Sequence, residues 1–262
     1  MFSFKQGVTV ITGGGSGIGQ ATAIALAAQG VPVAVADIDE ARVAATVSQV
    51  TGAGGQALPL TLDVTDEASV DAAFTKAEDW AGPITGLVSS AGILQVAPMA
   101  EMSGDTFSKV LDVNVRGSFL CGRRAATAMS ASRYGRIVSL SSVSGYRAGI
   151  GRAAYGTSKS AIIGLTRQFA LEFGRAGVTA NAVAPGPTVT AMTEDLYTEA
   201  TRAAVLPMIP TGKLAGVDDI TPAILFLLSE DSRYINGITL PVDGGYLASG
   251  MLQTGDLGGG SG

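Results

Sequence analysis

Short runs of β-branched and apolar residues alternate along the chain with longer stretches whose apolar positions recur at helical spacing. That alternation is the pattern of a parallel sheet joined by crossover helices. Residues 8–12 predict a first strand and residues 17–29 the helix that follows it. Further strands are predicted at 31–36, 58–63 and 86–89, with helices at 40–51 and 68–80 between them. A long helix over 107–129 leads into a fifth strand at 136–140. Residues 153–174 read as another long helix, with Ile162, Leu165, Thr166, Phe169 and Phe173 at helical spacing. Strands at 179–184 and 238–241 bring the predicted number to seven.

No repeat, charge run or linker divides this pattern, so residues 1–262 are expected to form one α/β domain. Residues 186–216 interrupt the alternation with Pro187, Pro207 and Pro210 and show no clear strand. A connection of that length is usually a lid or a binding loop, which assigns about 187–216 to the substrate side. The glycine-rich end, 255–262, is expected to fray.

Composition narrows the chemistry. Of 262 residues, 47% are apolar and 15% charged, enough for a large core and incompatible with overall disorder. The formal charge of −5 and the lack of clustered Lys and Arg argue against a nucleic-acid partner. The absence of histidine excludes Ser-His-Asp triads, Cys-His nucleophiles and His-ligated zinc. A single cysteine, Cys121, excludes disulfides within the chain and thiolate metal clusters. Proton chemistry is therefore left to Tyr, Lys, Asp, Glu or water, with no metal expected. The start of the chain lacks a signal-peptide pattern, and no apolar run approaches the ~18 residues of a membrane span. A soluble, cytoplasmic protein with no membrane partner is the expectation.

Thr12-Gly13-Gly14-Gly15-Ser16-Gly17-Ile18-Gly19 falls between the first strand and the first helix. Glycines there let the backbone turn sharply and approach a pyrophosphate resting on the helix N-terminus. Asp37 ends the second strand about 20 positions further on, where a carboxylate accepts from an adenosine ribose. A carboxylate repels a 2′-phosphate, and no Arg or Lys occupies 14–16 or 38, so NAD is expected over NADP. The plain alternative makes Asp37 a helix cap and leaves cofactor choice open. Asp63-Val64, ending the third strand, either places a carboxylate beside the adenine edge or is an ordinary cap.

Tyr155 and Lys159 stand four residues apart, on one helix face. A phenol titrates near ~10, and a neighbouring ammonium and a cationic nicotinamide ring would lower that value. Such a pair exchanges a proton with an alcohol or carbonyl without histidine; alone, it is equally a surface pair. Ser142 lies thirteen residues before Tyr155, after the fifth strand, where a hydroxyl would hold a substrate oxygen. Asn114 sits inside a predicted helix, although asparagine is a poor helix former. Either it has a polar task, such as a water relay to Lys159, or it is merely tolerated.

Taken together, these motifs resemble the short-chain dehydrogenase/reductase family of the single-domain type, from residue 7 to about 247. The family's cofactor turn is matched by Thr12 to Gly19, its Asn by Asn114, its Ser by Ser142 and its Tyr-x-x-x-Lys by Tyr155 and Lys159. Its Pro-Gly before the substrate loop is matched by Pro185-Gly186, and its nicotinamide-side threonine by Thr190. The resemblance implies a doubly wound Rossmann fold with a mostly parallel seven-stranded sheet, and hydride transfer between NAD and a secondary alcohol or ketone. It makes Tyr155 the acid/base, Ser142 the residue that polarises the substrate oxygen, Lys159 the ribose-binding ammonium and Asn114 part of a proton relay. It implies NAD contacts from Ser16, Ile18, Thr188 and Asp63, and extends the cofactor site to Val64, Ser90, Ala91 and Gly92. It also implies a homotetramer pairing the two long helices and the C-terminal strand. One departure stands out: Ser90-Ala91-Gly92 replaces the family's Asn-Ala-Gly, which puts the tie between neighbouring strands in doubt.

Candidate substrate walls are Gln95, Ser142, Ser144, Tyr146, Tyr155 and Met192, with Val96, Gly145, Leu196, Tyr197, Leu206 and Met208 around them. These are mostly apolar and favour a hydrophobic substrate; Arg147 either binds a carboxylate or is solvated. Three other readings compete: a reductase of carrier- or CoA-bound 3-ketoacyl groups, a non-catalytic NAD-binding regulator, and a structural component of an oligomer.

Overall fold

A computed structural model describes residues 2–250, so the predicted frayed end lies outside the described residues. The strands are β1 (Val8–Thr12), β2 (Val33–Asp37), β3 (Ala57–Thr61), β4 (Ile84–Ser89), β5 (Gly135–Leu140), β6 (Val178–Pro185) and β7 (Thr239–Val242). They form one seven-stranded sheet in the order β3-β2-β1-β4-β5-β6-β7. Every neighbouring pair is parallel, which makes this a doubly wound Rossmann-type α/β fold.

The helices are α1 (Gly17–Ala27), α2 (Glu40–Gly52), α3 (Glu67–Ala81), α4 (Gly104–Leu111), α5 (Gly117–Ser132), α6 (Ala153–Phe173), α7 (Glu199–Val205) and α8 (Val217–Leu228). All residues of β1, β4, β5 and β6 are buried, as expected when helices cover both faces of a parallel sheet. Val8 and Val10 join Phe74 of α3, Leu120 of α5 and Phe169 of α6 in the core on one face. Ile11, on the alternate side of β1, joins Leu26 of α1, Val43 of α2 and Ile224 of α8 on the other.

Dedicated caps start α2 and α3. The Asp39 side chain accepts from Arg42 N at 3.1 Å, and the Asp66 side chain accepts from Ala68 N and Ser69 N. Neither Asp37 nor Asp63 is therefore a helix cap.

The predicted continuous helix over 107–129 is broken. α4 passes into a π-helical turn, Asp112–Arg116, before α5 resumes. Asn114 sits in that turn, where widened winding is often found at functional positions. The Ser118 hydroxyl donates to the Asn114 carbonyl at 2.7 Å, occupying an acceptor at the junction of the π turn and α5. The helix α8 was not legible in the sequence pattern, because Pro222 falls within its first two turns and its apolar residues run without a clear period. β2 begins at Val33 rather than 31, just after Pro32, which has no N–H to give.

The segment after β6 is folded as α7 between two short 3₁₀ turns. Its ends are pinned together by Val189 N donating to Ala215 O and Ala215 N donating to Pro187 O, both at 2.9 Å. It is thus a loop closed at its base. No helix among the described residues is long and apolar enough to cross a membrane. β1 has β2 on one side and β4 on the other, so the chain reverses direction across the sheet there. The crevice at the carboxyl ends of such strands is where open α/β sheets bind ligands.

Candidate active site

A cavity of about 630 Å³ runs along that crevice, within the range of small-molecule sites. At one end the glycine turn forms its wall through Gly13, Ser16, Gly17 and Ile18. Gly13 has φ +66°, and a Cβ on it would stand 2.7 Å from Ala91 N. Gly19 does not reach the cavity: a Cβ there would stand 2.2 Å from Gly13 O, so its role is to let α1 pack against the turn.

Asp37 lines the cavity with its carboxylate held in place by Gly15 N and Asp39 N, each donating at 3.2 Å. Arg42, which sequence reading passed over because it is one turn into α2, also lines this end and pairs with Asp39 at 3.2 Å. Asp63 lines the wall and accepts from Thr65 N at 2.9 Å and Thr65 Oγ1 at 2.7 Å. Val64, Ser90, Ala91 and Gly92 continue the same wall. The tie between β1 and β4 does not need an asparagine at 90. Ser90 N donates to Thr12 O at 3.2 Å, and Ala91 N donates to Thr12 Oγ1 at 3.3 Å. Opposite them stand Pro185, Gly186, Thr188 and Thr190. The glycine turn without side chains, the adjacent helix N-terminus and the carboxylate ending β2 fit a nicotinamide dinucleotide.

The other end of the cavity holds Ser142, Tyr155 and Lys159. Ser142 caps the 3₁₀ turn Val143–Gly145, its hydroxyl accepting from Ser144 N at 3.1 Å. Lys159 is buried, and its Nζ donates to Leu140 O at 2.7 Å while lying 5.5 Å from the Tyr155 ring centroid. Burial lowers the Lys159 pKa to about 8. Burial likewise holds the Tyr155 phenol above its usual value, against the pull of the Ser142 hydroxyl and the Arg152 guanidinium. In the protein alone the phenol is thus raised, the reverse of the lowering expected from its spacing to Lys159, because desolvation outweighs the Ser142 hydroxyl and the Arg152 charge.

Asn114 stands behind this wall rather than in it, and its amide is spent on two elements. Oδ1 accepts from Ile93 N at 2.8 Å, and Nδ2 donates to Ile93 O and to Ser158 Oγ, each at 3.0 Å. Ser158 Oγ in turn donates to Tyr155 O at 2.7 Å. The π turn thereby clamps the segment following β4 to the first two turns of α6.

Of the substrate-side candidates, Gln95, Tyr197 and Met192 line the cavity. Ser144 and Tyr146 do not: Ser144 belongs to the turn capped by Ser142, and Tyr146, 48% exposed, follows that turn outward. Arg147 is also turned away, donating to Tyr246 O at 3.0 Å and stacking 4.9 Å over the Tyr246 ring. The arginine that does line the catalytic end is Arg152. It immediately precedes α6 and gave no signal beyond its distance of three residues from Tyr155.

A family profile described as "Enoyl-(Acyl carrier protein) reductase" matches residues 13–247. The (2S)-[(R)-hydroxy(phenyl)methyl]succinyl-CoA dehydrogenase subunit BbsD of Thauera aromatica is 37% identical, over 91% of this chain and 95% of its own. The 3-oxoacyl-[acyl-carrier-protein] reductase MabA of Mycobacterium avium is 40% identical, over 93% of this chain and 91% of its own. A crystal structure from Agrobacterium tumefaciens with bound NADP superposes with a TM-score of 0.87 at 33% identity, covering 94% of this chain and 98% of that one. With the fold, the glycine turn and the serine, tyrosine and lysine on one cavity wall, these similarities place the chain in the short-chain dehydrogenase/reductase family of nicotinamide-dependent oxidoreductases.

Proposed function

We propose that the protein is an NAD-dependent oxidoreductase that interconverts a hydrophobic secondary alcohol and its ketone. The observation that carries this reading is the placement of Ser142, Tyr155 and Lys159 on the wall of one cavity whose far end is the glycine turn and Asp37. When bound, the nicotinamide supplies the hydride acceptor for oxidation or the donor for reduction. Tyr155, as phenolate, accepts the alcohol proton while the carbinol carbon gives up its hydrogen with the bonding pair; reduction runs the same transfers in reverse. Ser142 donates to the substrate oxygen and fixes it beside the phenol. Lys159, anchored on Leu140 O, holds the nicotinamide ribose and adds positive charge next to Tyr155. Asn114 completes a water relay that returns the proton to solvent.

Asp37 supports NAD, since a carboxylate at that end of the cavity would repel a 2′-phosphate, and Asp39 pairs with the neighbouring Arg42. Apolar cavity residues Ile93, Leu94 and Met192 support a hydrophobic substrate. The proposed assembly is a homotetramer, supported by exposed apolar residues on the two long helices, Phe119 (41%) and Leu171 (79%). A cytoplasmic location suits an enzyme drawing on the dissolved nicotinamide pool.

Reduction of a 3-ketoacyl thioester is the second reading, favoured by the name of the M. avium relative. Initial rates with NAD⁺ and NADP⁺ across aliphatic, cyclic, aryl and 3-hydroxyacyl alcohols decide between them, with Tyr155→Phe as control. NAD⁺-dependent turnover of a free alcohol, lost in the variant, is the expected result. Turnover confined to acyl thioesters selects the second reading, and substantial turnover by Tyr155→Phe overturns both.

A further inference from the structure

We infer that the substrate carries an anionic group, a carboxylate, that Arg152 binds beside the catalytic tyrosine. This deepens the reading above and rests on it. Arg152 lines the same cavity as Tyr155, and its guanidinium carbon lies 5.9 Å from the Tyr155 ring centroid. Its charge also favours the ionised form of both Tyr155 and Tyr197, the latter in the loop after β6.

What distinguishes Arg152 is that it lines the cavity beside the Tyr155 ring with its guanidinium committed to no hydrogen bond or ion pair among the described residues. Arg42 pairs with Asp39, Arg124 with Glu78 and Asp71, Arg136 donates to Ser229 O, and Arg147 donates to Tyr246 O. Arg152 has neither a side-chain hydrogen bond nor an ion pair among the described residues, although it is half-buried. A guanidinium that faces a cavity with its donors uncommitted can hold a carboxylate through two parallel hydrogen bonds. A guanidinium presents that planar fork better than any other side chain.

The neighbourhood sets the rest of the ligand. Leu94 and Met192 line the cavity, so the body of the substrate is apolar. The separation of Arg152 from the Tyr155 ring places the carboxylate only a few bonds from the carbinol carbon. The substrate class is thus a compact hydroxy acid or oxo acid with a hydrophobic, cyclic or aryl body, rather than a neutral alcohol.

Two measurements test this. The first is binding of cyclohexanecarboxylate and of its amide to the NAD⁺-saturated protein, in which the pyrophosphate site is already filled. The carboxylate is expected to bind roughly tenfold to a hundredfold tighter than the amide, with that difference lost in Arg152→Gln and partly restored in Arg152→Lys. The second is kcat/KM for a cyclic hydroxy acid against its methyl ester. Arg152→Gln is expected to lose the preference for the acid over the ester, while the pH profiles of both move up together as the phenol loses a neighbouring cation. Equal binding of carboxylate and amide by the unaltered protein overturns the inference. So does an Arg152→Gln variant that slows acid and ester by the same factor, since Arg152 would then act only through Tyr155. Turnover retained in Tyr155→Phe would instead strike at the proposed reaction, leaving the binding comparison to decide Arg152 by itself.

Discussion

Gly92 keeps open the space between the side-chain oxygen of Asn114 and the ammonium of Lys159: a Cβ built on it would stand 3.2 Å from Oδ1 and 3.7 Å from Nζ. A water seated in that space would stand between the two groups. The amide itself makes no contact with Lys159, whose Nζ is engaged by Leu140 O. Any relay between them therefore passes through this gap. Gly92→Ala is expected to fill this space, press on Oδ1 and lower kcat by roughly tenfold or more, within the span of a general acid–base contribution. Steady-state kinetics beside circular dichroism check this; an unchanged kcat would remove the relay.

The phenol of Tyr155 gives a second test. Its pKa is raised by burial in the protein without cofactor. A positive nicotinamide ring favours the phenolate, so NAD⁺ is expected to bring the value down while NADH is not. Ultraviolet titration of the protein minus that of Tyr155→Phe, with and without NAD⁺, measures the shift. Identical titrations in the two states would leave phenolate formation unexplained.

Much of this site is legible in the chain. The glycine turn, Asp37, Ser142, Tyr155 and Lys159 are each fixed by local context: a strand end, a tight turn or one helix face. Asn114 stands out in the sequence as a poor helix former inside a helix, yet its amide bonds to Ile93 and Ser158, distant in sequence, are not legible there. Arg152 and Arg147 illustrate what spacing does not reveal. They lie five residues apart in one connection, and only the packing of Tyr246 decides that Arg147 is tied down while Arg152 faces the cavity. α8 was hidden by Pro222, which near a helix start is tolerated although it reads as a break.

The proposed preference for NAD is tested at Asp37 and its neighbours. Asp37→Ala removes the carboxylate from the ribose end and leaves Arg42 as the nearest cation there. The ratio of kcat/KM for NAD⁺ over NADP⁺ is expected to fall by roughly tenfold or more, the effect of about 1.4 kcal/mol. Asp39→Ala is expected to move the ratio the same way by freeing Arg42, at a cost of about 1 kcal/mol in stability from the lost α2 cap. Ratios unmoved by either change would place cofactor selection elsewhere.

Lys159 carries a stability signature. Its pKa is lowered from 10.5 to about 8 in the folded chain. Between those values the unfolded chain binds more protons than the folded one, so this group makes stability rise with pH across that window. The depression corresponds to about 3 kcal/mol. Cys121, whose thiol is raised from 9.0 to about 12, works in the opposite direction above pH 9, so the comparison is made against Lys159→Met. The unaltered protein without cofactor is expected to gain stability relative to that variant from pH 8 to 10.5 in denaturant titrations, and parallel curves would contradict the burial argument.

The most direct test of the central claim is the rate of NAD⁺ reduction by the protein and by Tyr155→Phe on a cyclic hydroxy acid, with cofactor affinity measured on both. NAD⁺ bound equally by both, with turnover lost by a factor of roughly 10² or more in the variant, is the predicted result. Turnover in the variant near that of the unaltered protein would contradict a reaction carried by Tyr155.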